Sequence, residues 1–137
     1  MSKIFVLDAC ALIAILKNED GADNVAAAYK QAEAGEAEII INRVNLLEVF
    51  YGFYHEKGKG YAEKIIDSVK QSIISIAEFD EALFPEAGRL KASYSISLAD
   101  SIALSQALFT GGELLTADHH EFDPIDGKEP IVFHWIR

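Results

Sequence analysis

Four carboxylates in this chain sit where water-averse residues surround them. The stretch Ile4–Leu16, I-F-V-L-D-A-C-A-L-I-A-I-L, carries one charged residue, Asp8. Glu48 lies within N-L-L-E-V-F, Asp100 within S-L-A-D-S-I-A-L, and Asp118 within L-L-T-A-D-H-H. A buried carboxylate costs several kcal/mol unless it is protonated, paired or bound to a cation. No matching base sits beside these acids in the sequence. Four such groups meeting in one place would repel each other, and a divalent cation would offset that repulsion. An all-oxygen donor set suits Mg²⁺ or Mn²⁺.

Each acid also has a local reading. Asp8 can cap the helix that follows it. Ser97-x-x-Asp100 and Asn45-x-x-Glu48 both have the spacing of a capping box. Thr116 or Asp118 can cap a short helix over His119–Phe122. Capping accounts for each acid separately, but not for so many near strand ends or inside apolar helical runs.

The elements that must position these residues alternate. Short apolar runs at Ile4–Leu7, Glu38–Ile41, Ser72–Ile76, Glu113–Leu115 and Ile131–His134 read as strands. Helical patterns cover Ala9–Leu16, Asp23–Ala34, Arg43–Glu56, Tyr61–Gln71, much of Asp80–Tyr94, and Leu98–Phe109. Lys57-Gly58-Lys59-Gly60 breaks one helix, Gly111-Gly112 closes another, and Pro85 marks a helix start or a kink. Strands separated by helices pair in parallel. The expectation is one domain over 1–137, an α/β fold: a three-layer α/β/α sandwich with a mostly parallel sheet of four to five strands. In such sheets the functional crevice lies beyond the carboxyl ends of the strands, where Asp8 falls.

The bulk composition bounds the chemistry. Of 137 residues half are hydrophobic, enough for one core, and the net charge is −10. That charge favours cationic partners and argues against a broad basic grip on nucleic acid. It does not exclude a nucleic-acid enzyme whose acidic site is masked by metal. Cys10 is the only cysteine, so no internal disulfide forms. The apolar start is too short for a signal peptide, and nothing reaches the ~20 apolar residues of a membrane span. The expected location is the cytoplasm, with no membrane partner.

The motifs V-L-D-A-C-A-L-I-A, N-L-L-E-V-F-Y-G, S-L-A-D-S-I-A-L and L-L-T-A-D-H-H-E-F occur in this order along nearly the whole chain. In that order they resemble the PIN-domain ribonucleases, most closely the VapC-like toxins of type II toxin–antitoxin pairs. The resemblance implies that Asp8, Glu48, Asp100 and Asp118 hold one or two Mg²⁺ or Mn²⁺ ions, with Asp8 central. Glu48 would ligate directly or take a proton from water. Thr116 matches the family's hydroxyl two residues before the last acid and would orient water or the scissile phosphate. The implied reaction is endonucleolytic cleavage of single-stranded RNA, leaving 5′-phosphate and 3′-hydroxyl ends. A homodimer and an inhibitory antitoxin protein are the implied partners, with Leu12, Leu16 and Tyr29 as candidates for the antitoxin groove. One departure is Cys10, where the family often has Ser or Thr.

Several further residues are weighed against simpler roles. Arg43, Lys57, Lys59, Lys64, Arg89 and Lys91 are the candidate phosphate contacts, although most surface cations only solvate. His119 and His120 point about 100° apart on a helix and so rarely share one ion. His134 reads as a strand position, and Asp123 and Asp126 as turn residues beside Pro124 and Gly127. V-N-L-L-E-V-F-Y-G-F-Y is apolar nearly all round, which means either a deeply buried helix or one that meets a partner. Two competing functions are a haloacid-dehalogenase-like phosphatase and a non-catalytic metal- or partner-binding module. The phosphatase wants a second Asp two residues after the first, where this chain has Cys10. The module has no missing acid to support it.

Overall fold

The computed structural model describes residues 3–137; Met1 and Ser2 of the expected single domain lie outside the described residues. The elements run β1 (Lys3–Leu7), α1 (Ala9–Lys17), α2 (Ala22–Glu33), β2 (Ala37–Asn42), α3 (Arg43–Lys57), α4 (Lys59–Lys70) and β3 (Ser75–Ala77). They continue with α5 (Phe84–Ser93), α6 (Leu98–Thr110), β4 (Glu113–Thr116), α7 (His119–Phe122) and β5 (Val132–Trp135). The five strands form one sheet in the order β3-β2-β1-β4-β5, and every pairing is parallel rather than mostly so.

β1 is central, and alternation along it feeds two cores. Phe5 and Leu7 pack with Ile39, Ile41 and Leu12 on one face. Val6 packs with Leu114, Leu104 and Phe122 on the other. The result is the expected three-layer sandwich. From β1 the chain builds outward through β2 to β3, then returns to lay β4 against the other side of β1. The strand order therefore reverses between β1 and β4, and their carboxyl ends flank that switch point. Asp8 follows β1, and Ala117 and Asp118 follow β4.

Several boundaries differ from the sequence expectation for local reasons. Gly58, at φ +88°, turns the corner between α3 and α4 alone, so Gly60 belongs to α4. The third strand begins at Ser75, not Ser72. The Ser72 hydroxyl donates to the Val69 carbonyl at 2.6 Å and accepts from the Ile74 N–H, which makes this stretch a turn. Asp80 accepts from Ala82 N–H in another turn, and Pro85 sits in the first turn of α5 rather than at a kink. Asn42, not Asn45, caps α3 through the Val44 N–H.

The apolar helix α3 is buried on one side only. Leu46, Val49 and Phe53 are buried, while Leu47, Tyr51 and Tyr54 are 55%, 57% and 46% exposed. Among the described residues no helix is long and apolar enough to cross a membrane.

Candidate active site

Asp8 leaves the buried end of β1 and caps α1. Its Oδ1 accepts from the Ala11 N–H at 2.8 Å, and its Oδ2 accepts from the Thr116 hydroxyl at 2.5 Å. The residue is 2% exposed. Burial pushes its pKa up to about 7; the Thr116 and Ala11 hydrogen bonds pull it down, and the charges of Asp118 and Glu48 push it further up.

Asp118 is carried by the turn after β4. Its N–H donates to Thr116 Oγ1 at 3.0 Å, and its Oδ1 accepts from the Glu121 N–H, capping α7. Thr116 is fully buried and links the two acids through one hydroxyl. The family resemblance implies that this hydroxyl orients water or the scissile phosphate. In the structure the hydroxyl is engaged with the Asp8 carboxylate and the Asp118 N–H.

Asp100 stands in the first turn of α6, whose cap is Ser97 as the spacing implied. Burial pushes its pKa up to about 7, and Asp118 and Asp8 add to the rise. Glu48 projects from α3; burial raises its pKa, the neighbouring Asn45 side chain lowers it, and Asp118 raises it again. All four acids thus share one electrostatic field, and the caps made by Asp8, Ser97 and Asp118 coexist with that field instead of replacing it. Glu121 also raises Asp100 and was missed in the sequence, where nothing distinguishes it from a solvated helix residue.

Three further polar side chains lie on the elements around the acids, and of these only Asn45 had a spacing that singled it out. Asn42 donates to Gln106 Oε1 at 3.0 Å, and both are buried. Asn45 donates to the Ala99 carbonyl, tying α3 to the start of α6. Its Oδ1 is buried with no partner among the described residues. An orphaned acceptor beside Glu48 is a place for a water or ion-bound ligand.

A divalent ion fits these residues. The donors are hard oxygens, two of the acids are held protonatable near neutrality, and Asn45 Oδ1 lacks a donor. Among the described residues no three His, Cys, Asp or Glu side chains already stand together as a chelating set.

Other candidates fall elsewhere. Arg43 pairs with Glu78 at 2.8 Å, and Arg89 with Glu86 and Glu129 at 2.7 Å, so these guanidiniums are committed to carboxylates. His119 stacks on Trp135, and its two ring nitrogens face Asp123 and the Arg137 backbone oxygen rather than the acids. The Cys10 thiol is half-buried beside Asp8, and burial followed by the Asp8 charge raises its pKa, so it stays a thiol. Leu12, Leu16 and Tyr29 line a groove of about 180 Å³ with Ile15, Val69 and Ile74; none of the four acids lines it, and Leu12 is buried.

Comparison with known proteins bears on this arrangement. The family described as PIN domain matches residues 5–128. No curated protein is a significant sequence match. Among solved structures, VapBC2 from Rickettsia felis, bound to a promoter DNA fragment, is similar at TM-score 0.75 and 22% identity, over 96% of this chain and 98% of that one. DNA-bound VapBC from Salmonella typhimurium is similar at TM-score 0.77 and 16% identity, over the whole of both chains. VapC20 from Mycobacterium tuberculosis, a sarcin-ricin loop cleaving toxin, is similar at TM-score 0.66 and 12% identity, over 91% and 95%.

Proposed function

Given that the chain belongs to the PIN-domain family, we propose that it is a divalent-metal-dependent endoribonuclease, the toxin of a toxin–antitoxin pair. One observation carries this reading. Asp8, Glu48, Asp100 and Asp118, distant in sequence, share one electrostatic field at the switch point of a parallel sheet. The family match decides against the dehalogenase-like phosphatase.

Asp8, Asp100 and Asp118 would hold Mg²⁺ or Mn²⁺, one or two ions, with Glu48 completing the set. A bound ion lowers the pKa of water and offsets charge on the phosphate oxygens. The residues do the rest. Glu48, with its pKa raised by burial, accepts a proton from the attacking water. Asn45 Oδ1, lacking a partner, accepts a hydrogen bond from that water. Thr116 keeps Asp8 and Asp118 in register. Cleavage leaves 5′-phosphate and 3′-hydroxyl ends, and the protein acts in the cytoplasm.

The antitoxin is proposed to lay an apolar segment in the groove over Leu12, Leu16 and Tyr29. The complexes among the structural neighbours support such a partner. The exposed Leu47, Tyr51 and Tyr54 face of α3 supports a homodimer.

The test is cleavage of a mixed RNA pool by antitoxin-free protein in Mg²⁺ or Mn²⁺, beside EDTA and Asp8→Asn controls. Cleavage lost in both controls supports the reading. Cleavage that survives EDTA and Asp8→Asn overturns it.

A further inference from the structure

The outer edge of the sheet, next to Asp118, carries an arrangement that the four acids do not explain. Phe133 and Trp135 alternate along β5 and so share a face. Their rings stack with centroids 5.4 Å apart and planes 13° apart. His119 continues the stack on Trp135, at 3.9 Å and again 13°. The imidazole is held in plane from both sides: Nδ1 pairs with Asp123 Oδ1 at 2.8 Å and Nε2 with the Arg137 backbone oxygen at 2.9 Å. One face of the ring is covered by Trp135, yet 47% of the side chain is exposed. The stack therefore ends in a rigid, open ring one residue from a proposed metal ligand.

Arg137 stands beside this ring. Its Nη1 donates to the Asp20 carbonyl, and Glu19 is 4.0 Å away, too far for a hydrogen bond. Among the described residues Nε and Nη2 make no hydrogen bond, so the guanidinium keeps donors for a further acceptor. Its charge reaches the Cys10 thiol, two residues from Asp8. Arg89, by contrast, has Nε, Nη1 and Nη2 all engaged by carboxylates, and Arg43 has Nε and Nη2 on Glu78.

We propose that this edge is a nucleotide subsite: a base of single-stranded RNA stacks on the open face of His119, and an adjoining phosphate binds the Arg137 guanidinium. The proposal rests on the ribonuclease reading and deepens it. It supplies what an acidic chain otherwise lacks, a local cation and a stacking platform that grip a strand without a general basic surface. The ring and the Asp20-anchored guanidinium are already fixed, so little ordering accompanies binding.

The test measures binding of a fluorescein-labelled, mixed-sequence RNA 10-mer to the full chain carrying Asp8→Asn, which blocks turnover. On that background, His119→Ala should weaken binding about 5-fold or more, the size expected of one lost stacking contact. His119→Phe, which keeps a ring, should stay within about 2-fold of the parent, since every base offers a π-face. Arg137→Gln should weaken binding and lower the salt slope by about 0.7, one phosphate contact to a single strand. The same 10-mer made with abasic sites should bind the parent and the His119→Ala chain equally. The parent alone should also bind the intact 10-mer about 5-fold more tightly than the abasic one, a comparison that leaves the protein unaltered and stands even if a variant loosens β5. Binding by His119→Ala and Arg137→Gln equal to the parent, or a His119→Ala deficit that persists on abasic RNA, overturns the subsite. If the unmutated chain still cleaves RNA in Mn²⁺ in that case, the ribonuclease reading survives its loss. A chain that neither cleaves nor binds RNA overturns both.

Discussion

The Thr116 hydroxyl reaches across 108 positions of sequence to donate to Asp8 Oδ2, and it accepts from the Asp118 N–H on its other side. This one group sits at the junction of β1 and β4 and locks the spacing of two acids that repel each other. Thr116→Val keeps the shape and removes the hydroxyl, leaving a buried carboxylate oxygen and a backbone N–H unpaired. A loss of about 1–3 kcal/mol of stability is expected, with weaker Mn²⁺ binding. Thr116→Ser should recover most of both. Urea unfolding and calorimetric Mn²⁺ titration of the three proteins would check this, and an unchanged Val variant would refute it.

Asp8→Asn should abolish cleavage and yet raise the stability of the metal-free protein at pH 8. The substitution removes a buried charge facing Asp118 and Glu48, and its one amide oxygen keeps either the Thr116 or the Ala11 hydrogen bond but not both; relief of the charge is expected to outweigh that loss. Thermal melts in EDTA are the measurement. A Tm at or below that of the parent would mean that repulsion does not govern this cluster.

Stability of the metal-free protein should depend on pH in a set direction. Asp8 and Asp100 rise from 3.8 when unfolded to about 7 when folded. A raised carboxylate favours the folded state fully below the unfolded value, and that contribution is lost as pH rises through the folded value. Stability therefore falls between about pH 4 and pH 7 by this linkage. Saturating Mn²⁺ should flatten the fall, because the ion binds the charged form, and should add about 2.7 kcal/mol at 100 times its Kd. Unfolding curves from pH 4.5 to 8, with and without Mn²⁺, would decide it.

The α3 face offers a separate test. Leu47, Tyr51 and Tyr54 are exposed and apolar, so Tyr51→Glu should convert a dimer to a monomer. As a surface change, it should shift monomer stability by no more than about 0.5 kcal/mol. Sedimentation velocity at several concentrations reads the mass directly. Tyr51→Glu protein that sediments as the parent would remove this face from the interface.

Much of the fold was legible because its signals are local. Strand and helix alternate with matching periodicities, Asp8, Ser97 and Asp118 cap the helices their spacing implied, and Gly111, at φ +69°, closes α6. The misreadings were local too, at turns where a side chain competes with the backbone. Ser72 delayed a strand in this way, and Asn42 took the cap expected of Asn45.

The sequence by itself determined which carboxylates were out of place and that a parallel α/β sandwich would carry them. Burial preference and periodicity depend on neighbours within a turn or two of chain. Only the tertiary structure decided the partners. The strand order sets Thr116 against Asp8, and β5 pairing brings the Arg137 carbonyl to His119. The same packing commits Arg43 and Arg89 to acids and leaves donors on Arg137 open. These contacts join residues distant along the chain, and no local preference encodes which strand lies beside which.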